Sequence, residues 1–211
     1  MPKRTLRLAW NANYELRDIK NPEELVIILH GYQQRGELIN RLLEGCVGPN
    51  VEVLSPDAPF PVPQKVNNNY QMAYTWYFFD PETDTYLYDM SIALDYLHEL
   101  LTDLKLDHLP TRILGYSQGG YLAPFLGERL PQTKQVIGVN CRFRSEALNG
   151  PLPFKLDAIH GKKDVLVDPE RAVKCHEELI TQGCRGEFHL LEESGHGISA
   201  EVRSTLTTLL Q

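Results

Sequence analysis

Basic residues are in the minority in this 211-residue chain: 21 Lys and Arg stand against 28 Asp and Glu, a formal net charge of −7. No cluster of Lys and Arg is interleaved with aromatics, so nucleic acid is not an expected partner. Long apolar runs are missing as well. The longest falls inside LVIILH (25–30), far short of the roughly 20 residues that span a bilayer, and no integral membrane segment is expected. The opening residues, MPKRTLRLAWNANYE, hold Lys3 and Arg4 with no long apolar stretch behind them, which is not the pattern of a secretory signal. The four cysteines (Cys46, Cys141, Cys175 and Cys184) form no CxxC pair, so packed, reduced thiols are expected rather than a metal or redox centre. A cytoplasmic location fits these absences. Nor does any internal repeat, low-complexity tract or charge block divide the chain. With 42% hydrophobic residues to build a core, a single domain over residues 1–211 is expected. Oligomeric state leaves no trace in the sequence.

Short apolar runs alternate with longer segments of helical spacing. LRLAW (6–10) and YELRD (14–18) alternate in polarity around Asn11–Asn13 and read as an opening hairpin. LVIILH (25–30) is a continuous run rich in β-branched residues, as suits a strand covered on both faces. VEVLS (51–55), TRILGY (111–116), QVIGVN (135–140), LDAIH (156–160) and EFHLLE (187–192) are of the same kind. Helical spacing links Met90, Ala93, Leu94, Leu97, Leu101 and Leu104. Asp168-Pro169 marks a second helix start, with Gly183 as its stop, and Ser199 can cap a last helix. This alternation predicts an α/β fold: a mostly parallel central sheet, an antiparallel N-terminal hairpin, and helices on both faces. Residues 56–88 break the pattern with five prolines, Asn67–Asn69 and many aromatics. Two readings stand: a folded cover over one edge of a site, or a structural connection packed on the sheet edge.

Within ILGYSQGGYL (113–122), Gly115-Tyr116-Ser117-Gln118-Gly119 matches G-x-S-x-G, a tight turn from strand to helix that lifts a serine hydroxyl above the sheet. The turn needs glycines because side chains two before and two after the serine would collide. A nucleophilic serine needs a base and an acid, and candidates follow in order. Asp164 lies just past LDAIH, and His196 lies between Gly195 and Gly197 just past EFHLLE, both at carboxyl ends of strands. Rival acids fit less well: Asp168 precedes Pro169 and caps a helix, and Asp157 lies within a strand. Among the histidines, His30 and His160 end strands before a glycine and read as structural. His98 and His176 fall within helices, His108 in a polar connection and His189 in mid-strand. The oxyanion of an acyl intermediate would need two amides, that of Gln118 and that of Tyr32 after His30-Gly31. Such chemistry requires no metal and no cofactor.

Taken together, LVIILHG, SPDAPFPVP with MAYTWY, GYSQGG, HGKKDVLVD and SGHGIS resemble the phospholipase/carboxylesterase family of α/β-hydrolases, which includes acyl-protein thioesterases. The resemblance spans residues 25–199. It implies a serine esterase acting on a small acyl ester or thioester, with Ser117, Asp164 and His196 as nucleophile, acid and base. It also implies that the stretch from Met72 to Tyr77, Trp76 included, lies beside the acyl pocket. Where the family has a small residue and a further glycine after its early His-Gly, this chain has Tyr32-Gln33-Gln34-Arg35. That bulk, with the polar Asn67–Asn69, points away from long-chain lipids and acyl-proteins.

Overall fold

The computed structural model describes residues 11–80, 82–83 and 85–210. In chain order its first elements are β1 (Tyr14–Arg17), β2 (Leu25–Leu29), α1 (Gly36–Leu42), β3 (Glu52–Pro56), β4 (Phe60–Val66), β5 (Asn69–Thr75), β6 (Phe78–Asp80) and β7 (Thr85–Tyr88). Then come α2 (Ser91–Asp103), β8 (Thr111–Tyr116), α3 (Gln118–Arg129), β9 (Thr133–Val139), β10 (Lys155–Gly161), α4 (Pro169–Thr181), β11 (Phe188–Leu191) and α5 (Ala200–Leu209). Seven strands make one sheet in the order β1-β3-β2-β8-β9-β10-β11. Every neighbouring pair in it is parallel except β1 with β3.

The run LVIIL shows why the sheet is covered on both faces. Leu25, Ile27 and Leu29 of β2 point into one core cluster, with Leu97 of α2, Leu122 and Leu126 of α3, and Leu179 of α4. Val26 and Ile28 point the other way, onto Ile39 of α1 and Val202 and Leu206 of α5. All five β2 residues are buried. A strand that is apolar at every position can sit only between two helical layers. Two helices start as the sequence indicates. Asp168 caps α4 by accepting from Glu170 N–H at 3.0 Å, with Pro169 in the first turn, and Ser199 Oγ accepts from Val202 N–H at 3.2 Å. The four cysteines are buried and unpaired.

LRLAW, the first half of the expected hairpin, lies outside the described residues. The second half, YELR, pairs antiparallel with β3, Tyr14 opposite Pro56 and Arg17 opposite Val53. The described part of residues 56–88, which its prolines and asparagines set apart from the strand–helix alternation, carries two antiparallel ribbons, β4–β5 and β6–β7. Prolines at 61 and 63 are tolerated because a two-stranded ribbon leaves half its backbone groups facing solvent. Asn67 and Asn68 form the β4–β5 turn with φ of 48° and 65°, the left-handed region that asparagine tolerates.

Candidate active site

Ser117 stands where β8 ends and α3 begins, with φ 49° and ψ −116°, a conformation that costs an ordinary residue energy. Close approach explains the flanking glycines. A Cβ on Gly115 would sit 2.4 Å from the Gly119 carbonyl oxygen, and one on Gly119 would sit 2.4 Å from that of Leu29. The turn is thus pressed against the end of β2 and admits no side chain at either position.

His196 and Asp164 reach the serine from neighbouring strand ends. Asp164 follows β10 and His196 follows β11. His196 Nδ1 lies 2.8 Å from Asp164 Oδ2, and its Nε2 lies 3.0 Å from Ser117 Oγ. An ionised carboxylate can only accept, so Nδ1 carries the proton and Nε2 is left to accept from the serine. The Asp164 side chain is fully buried. Burial alone would raise its pKa, but N–H groups from Val167 and Leu166 and the bond from His196 outweigh that and hold the carboxyl below its ordinary value. The arrangement can take a proton from a hydroxyl and stabilise the imidazolium that results.

Several residues that hold this geometry carry no signal of their own in the sequence. Asn140, buried at the end of β9, accepts from Gly161 N–H at 3.0 Å through Oδ1. Its Nδ2 donates to the carbonyl of His196 at 2.7 Å and lies 3.2 Å from those of Gly195 and Gly197. One side chain therefore ties the Gly161–Asp164 loop to the His196 loop. Tyr116 hydroxyl donates to the same His196 carbonyl at 2.8 Å. His160, fully buried, donates from Nε2 to Val167 O at 3.1 Å, with Asp164 Oδ2 also 3.1 Å away. It therefore supports the Asp164–Val167 loop rather than merely ending β10. The one available clue was position: an Asn and a His, each closing an apolar run at the carboxyl edge of the sheet.

The two residues expected to donate to the oxyanion, Tyr32 and Gln118, line the same cavity as Ser117. Gln118 is the first residue of α3, where no intrahelical partner exists for its N–H. After β2, Gly31 N–H is occupied by Gln34 Oε1 at 3.0 Å, and the next residue, Tyr32, lines the cavity. The Gln118 side chain adds something the sequence does not announce. Its Oε1 accepts from Thr75 Oγ1 at 2.9 Å and Trp76 N–H at 3.0 Å, and its Nε2 donates to Tyr77 O at 3.0 Å. The residue after the serine thus clamps the stretch between the two ribbons.

A cavity of about 650 Å³ opens beside Ser117, walled by Tyr32, Tyr77, Phe78, Phe79, Tyr86 and Tyr121 and by three arginines. Of the three pocket candidates from the sequence, Tyr77 lines it and the other two do not. Met72 stands half-exposed on β5 opposite Pro63, turned out by the alternation of the ribbon. Trp76 is fully buried, its Nε1–H donating to His30 O at 2.8 Å, so it is a packing residue behind the wall. The β6–β7 ribbon supplies Phe78, Phe79 and Tyr86, so this half of residues 56–88 is a wall of the site. Among the described residues, no group of three or more His, Cys, Asp or Glu could hold a metal ion, and no helix is long and apolar enough to cross a membrane.

His30 anchors the early loop and gives it a pH limit. Ala58 N–H donates to Nε2 at 3.0 Å, so the ring proton is on Nδ1, which donates to Gly31 O at 2.7 Å. Burial pushes its pKa down from 6.5 to about 4, against a small upward pull from the Gly31 bond. Below 6.5 the unfolded chain takes up a proton that the folded chain refuses. Stability is therefore intact above pH 6.5 and falls as pH drops towards 4, by at most about 3 kcal/mol from this group. Urea unfolding at pH 7 and pH 4.5 should show that loss, and His30→Gln should flatten the slope. An unchanged slope in the variant would remove His30 as its source.

A sharp strand-to-helix turn at the carboxyl edge of a mostly parallel sheet, with an aspartate and a histidine past the ends of β10 and β11 in reach of its serine, is the pattern of an α/β-hydrolase. The phospholipase/carboxylesterase family matches over residues 16–211, and the chain belongs to it. Among solved structures, esterase PE8 is similar, at 26% identity and a TM-score of 0.71, over 90% of this chain and 92% of that one. Two others share the fold. Zea mays acyl-protein thioesterase 2 has 19% identity and a TM-score of 0.69, over 94% and 99% of the two chains. The Bacillus cereus carboxylesterase has 17% identity and a TM-score of 0.71, over 94% and 93%. No curated protein matches the sequence.

Proposed function

We propose that the protein is a serine hydrolase that cleaves small to medium carboxylic esters or thioesters through an acyl-enzyme on Ser117. The observation that carries this reading is the His196 ring set between Ser117 Oγ at 3.0 Å and Asp164 Oδ2 at 2.8 Å. His196 takes the serine proton as Oγ attacks the carbonyl carbon, and Asp164 fixes the ring tautomer and offsets the imidazolium charge. The Tyr32 and Gln118 amides receive the oxyanion. His196 then returns the proton to the departing alcohol or thiol, and water repeats the sequence to release the acid. Tyr77 and the β6–β7 ribbon hold the substrate, and no cofactor takes part.

Intact mass after exposure to a fluorophosphonate probe tests this directly. A single adduct is expected on the wild-type protein and none on Ser117→Ala. A folded wild type that takes up no probe would mean that Ser117 is not an activated nucleophile. The chain would then be a hydrolase scaffold that binds without turning over.

A further inference from the structure

The cavity beside Ser117 holds more positive charge than a neutral ester requires. Arg142, Arg144 and Arg171 all line it, in a protein whose net charge is −7. Two acids answer them. Glu146 accepts from Arg142 Nη1 at 2.8 Å and Nη2 at 3.1 Å, and from Arg144 Nε at 3.1 Å. Asp168, on the cavity wall, gives its Oδ1 to the first-turn amides of α4. One positive charge is left over, and Arg171 has no carboxylate partner among the described residues.

Two of the arginines are held in place before any ligand arrives. The Arg144 guanidinium lies over the Tyr86 ring, 5.2 Å from its centroid, and its Nη1 donates to the Tyr86 hydroxyl. Arg142 is fixed by the two bonds to Glu146 and by Cys175 Sγ at 3.6 Å. The Arg142–Glu146 pair is a two-bond grip on a carboxylate, at the edge of the cavity. An alkyl chain lying here would strip water from the guanidinium groups and return nothing for it. A carboxylate would replace that water with charge-assisted hydrogen bonds, and the planar fork of Arg matches its two oxygens. The aromatic wall of Tyr32, Tyr77, Phe78 and Phe79 would cover the carbon skeleton between the two ends.

We infer that the substrate is an ester or thioester bearing a second, free carboxylate, which Arg171 and Arg144 bind while Ser117 attacks the ester carbonyl. The inference rests on the hydrolase reading above. Two matched substrate pairs test it in a pH-stat and show which side of the ester carries the anion. Monoethyl glutarate against ethyl pentanoate places the carboxylate on the acyl group. 4-Acetoxybenzoate against phenyl acetate places it on the leaving group. In one pair the carboxylate member is expected to have kcat/KM higher by about tenfold or more. Arg171→Gln should bring that ratio towards one, Lys174→Gln on the same helix should leave it alone, and high salt should compress it. Arg171 is exposed, so its replacement leaves the fold intact; Arg144→Gln serves as the second variant. The inference is overturned if neither pair shows a preference, or if the preference survives both arginine replacements. Fluorophosphonate labelling of Ser117 with turnover of the neutral esters would still uphold the hydrolase reading in that case, whereas absent labelling would sink that reading first.

Discussion

Asp164→Asn should lower turnover by about 10⁴-fold while leaving the protein folded. The loss follows from which oxygen does what. Oδ1 accepts N–H groups from Leu166 at 2.8 Å and Val167 at 3.0 Å, so an asparagine must keep its carbonyl oxygen there. Its NH₂ then takes the place of Oδ2, facing His196 Nδ1. An N–H donated to Nδ1 forces the ring proton onto Nε2, the atom that has to accept from Ser117. The same NH₂ would also face His160 Nε2 at 3.1 Å, donor against donor. Steady-state kinetics beside Asp168→Asn gives the contrast. Asp168 caps α4, asparagine caps as well, and its turnover should change far less. If the larger loss fell on Asp168→Asn instead, Asp168 would be the acid.

The second large effect is at the nucleophile, where activity and stability are expected to move in opposite directions. Ser117→Ala and Ser117→Gly should both abolish turnover, by as much as about 10⁶-fold. They should differ in stability. Alanine keeps a Cβ at φ 49°, whereas glycine adopts that conformation without strain. Relief of about 1–3 kcal/mol of strain, less about 1 kcal/mol for the freer unfolded chain, leaves Ser117→Gly ahead of Ser117→Ala. At this chain length each kcal/mol is about 2–4 °C in Tm. Equal melting temperatures for the two variants would mean that the strain at Ser117 is no larger than about 1 kcal/mol, the cost of glycine's freer unfolded chain.

The parts of this molecule that could be read from its sequence are those written in local pattern. LVIIL had to be a strand buried on both faces, and it is β2. Asp168-Pro169 had to start a helix. G-x-S-x-G had to be a crowded turn, and the 2.4 Å approaches at Gly115 and Gly119 show the crowding. What could not be read depends on which chain segments meet. Prolines at 61 and 63 argued against strands, yet an isolated ribbon accommodates them. Asn140 reads as the end of an apolar run until β9 is placed between β8 and β10, where its amide bridges two loops. Trp76 and Met72 fell in a segment assigned to the pocket by resemblance, but the period of β5 and the pull of His30 O turned them away from it. Arg142, Arg144 and Arg171 are scattered charges in the text and neighbours only in the fold.

The clamp that Asn140 forms has a bearing on how the molecule acquires its chemistry. Ser117 and His196 are 79 positions apart, and Asp164 and His196 are 32 apart. None of these groups can meet until β8, β9, β10 and β11 lie side by side, and parallel neighbours of that kind form late because long loops must close before any contact rewards them. Asn140 then fastens Gly161 to the His196 loop only after β9 and β10 have joined. Any molecule in which that half of the sheet is still open therefore lacks the Ser117–His196–Asp164 contacts, whatever its helix content, so a probe that reads those contacts reads the closing of β8 to β11.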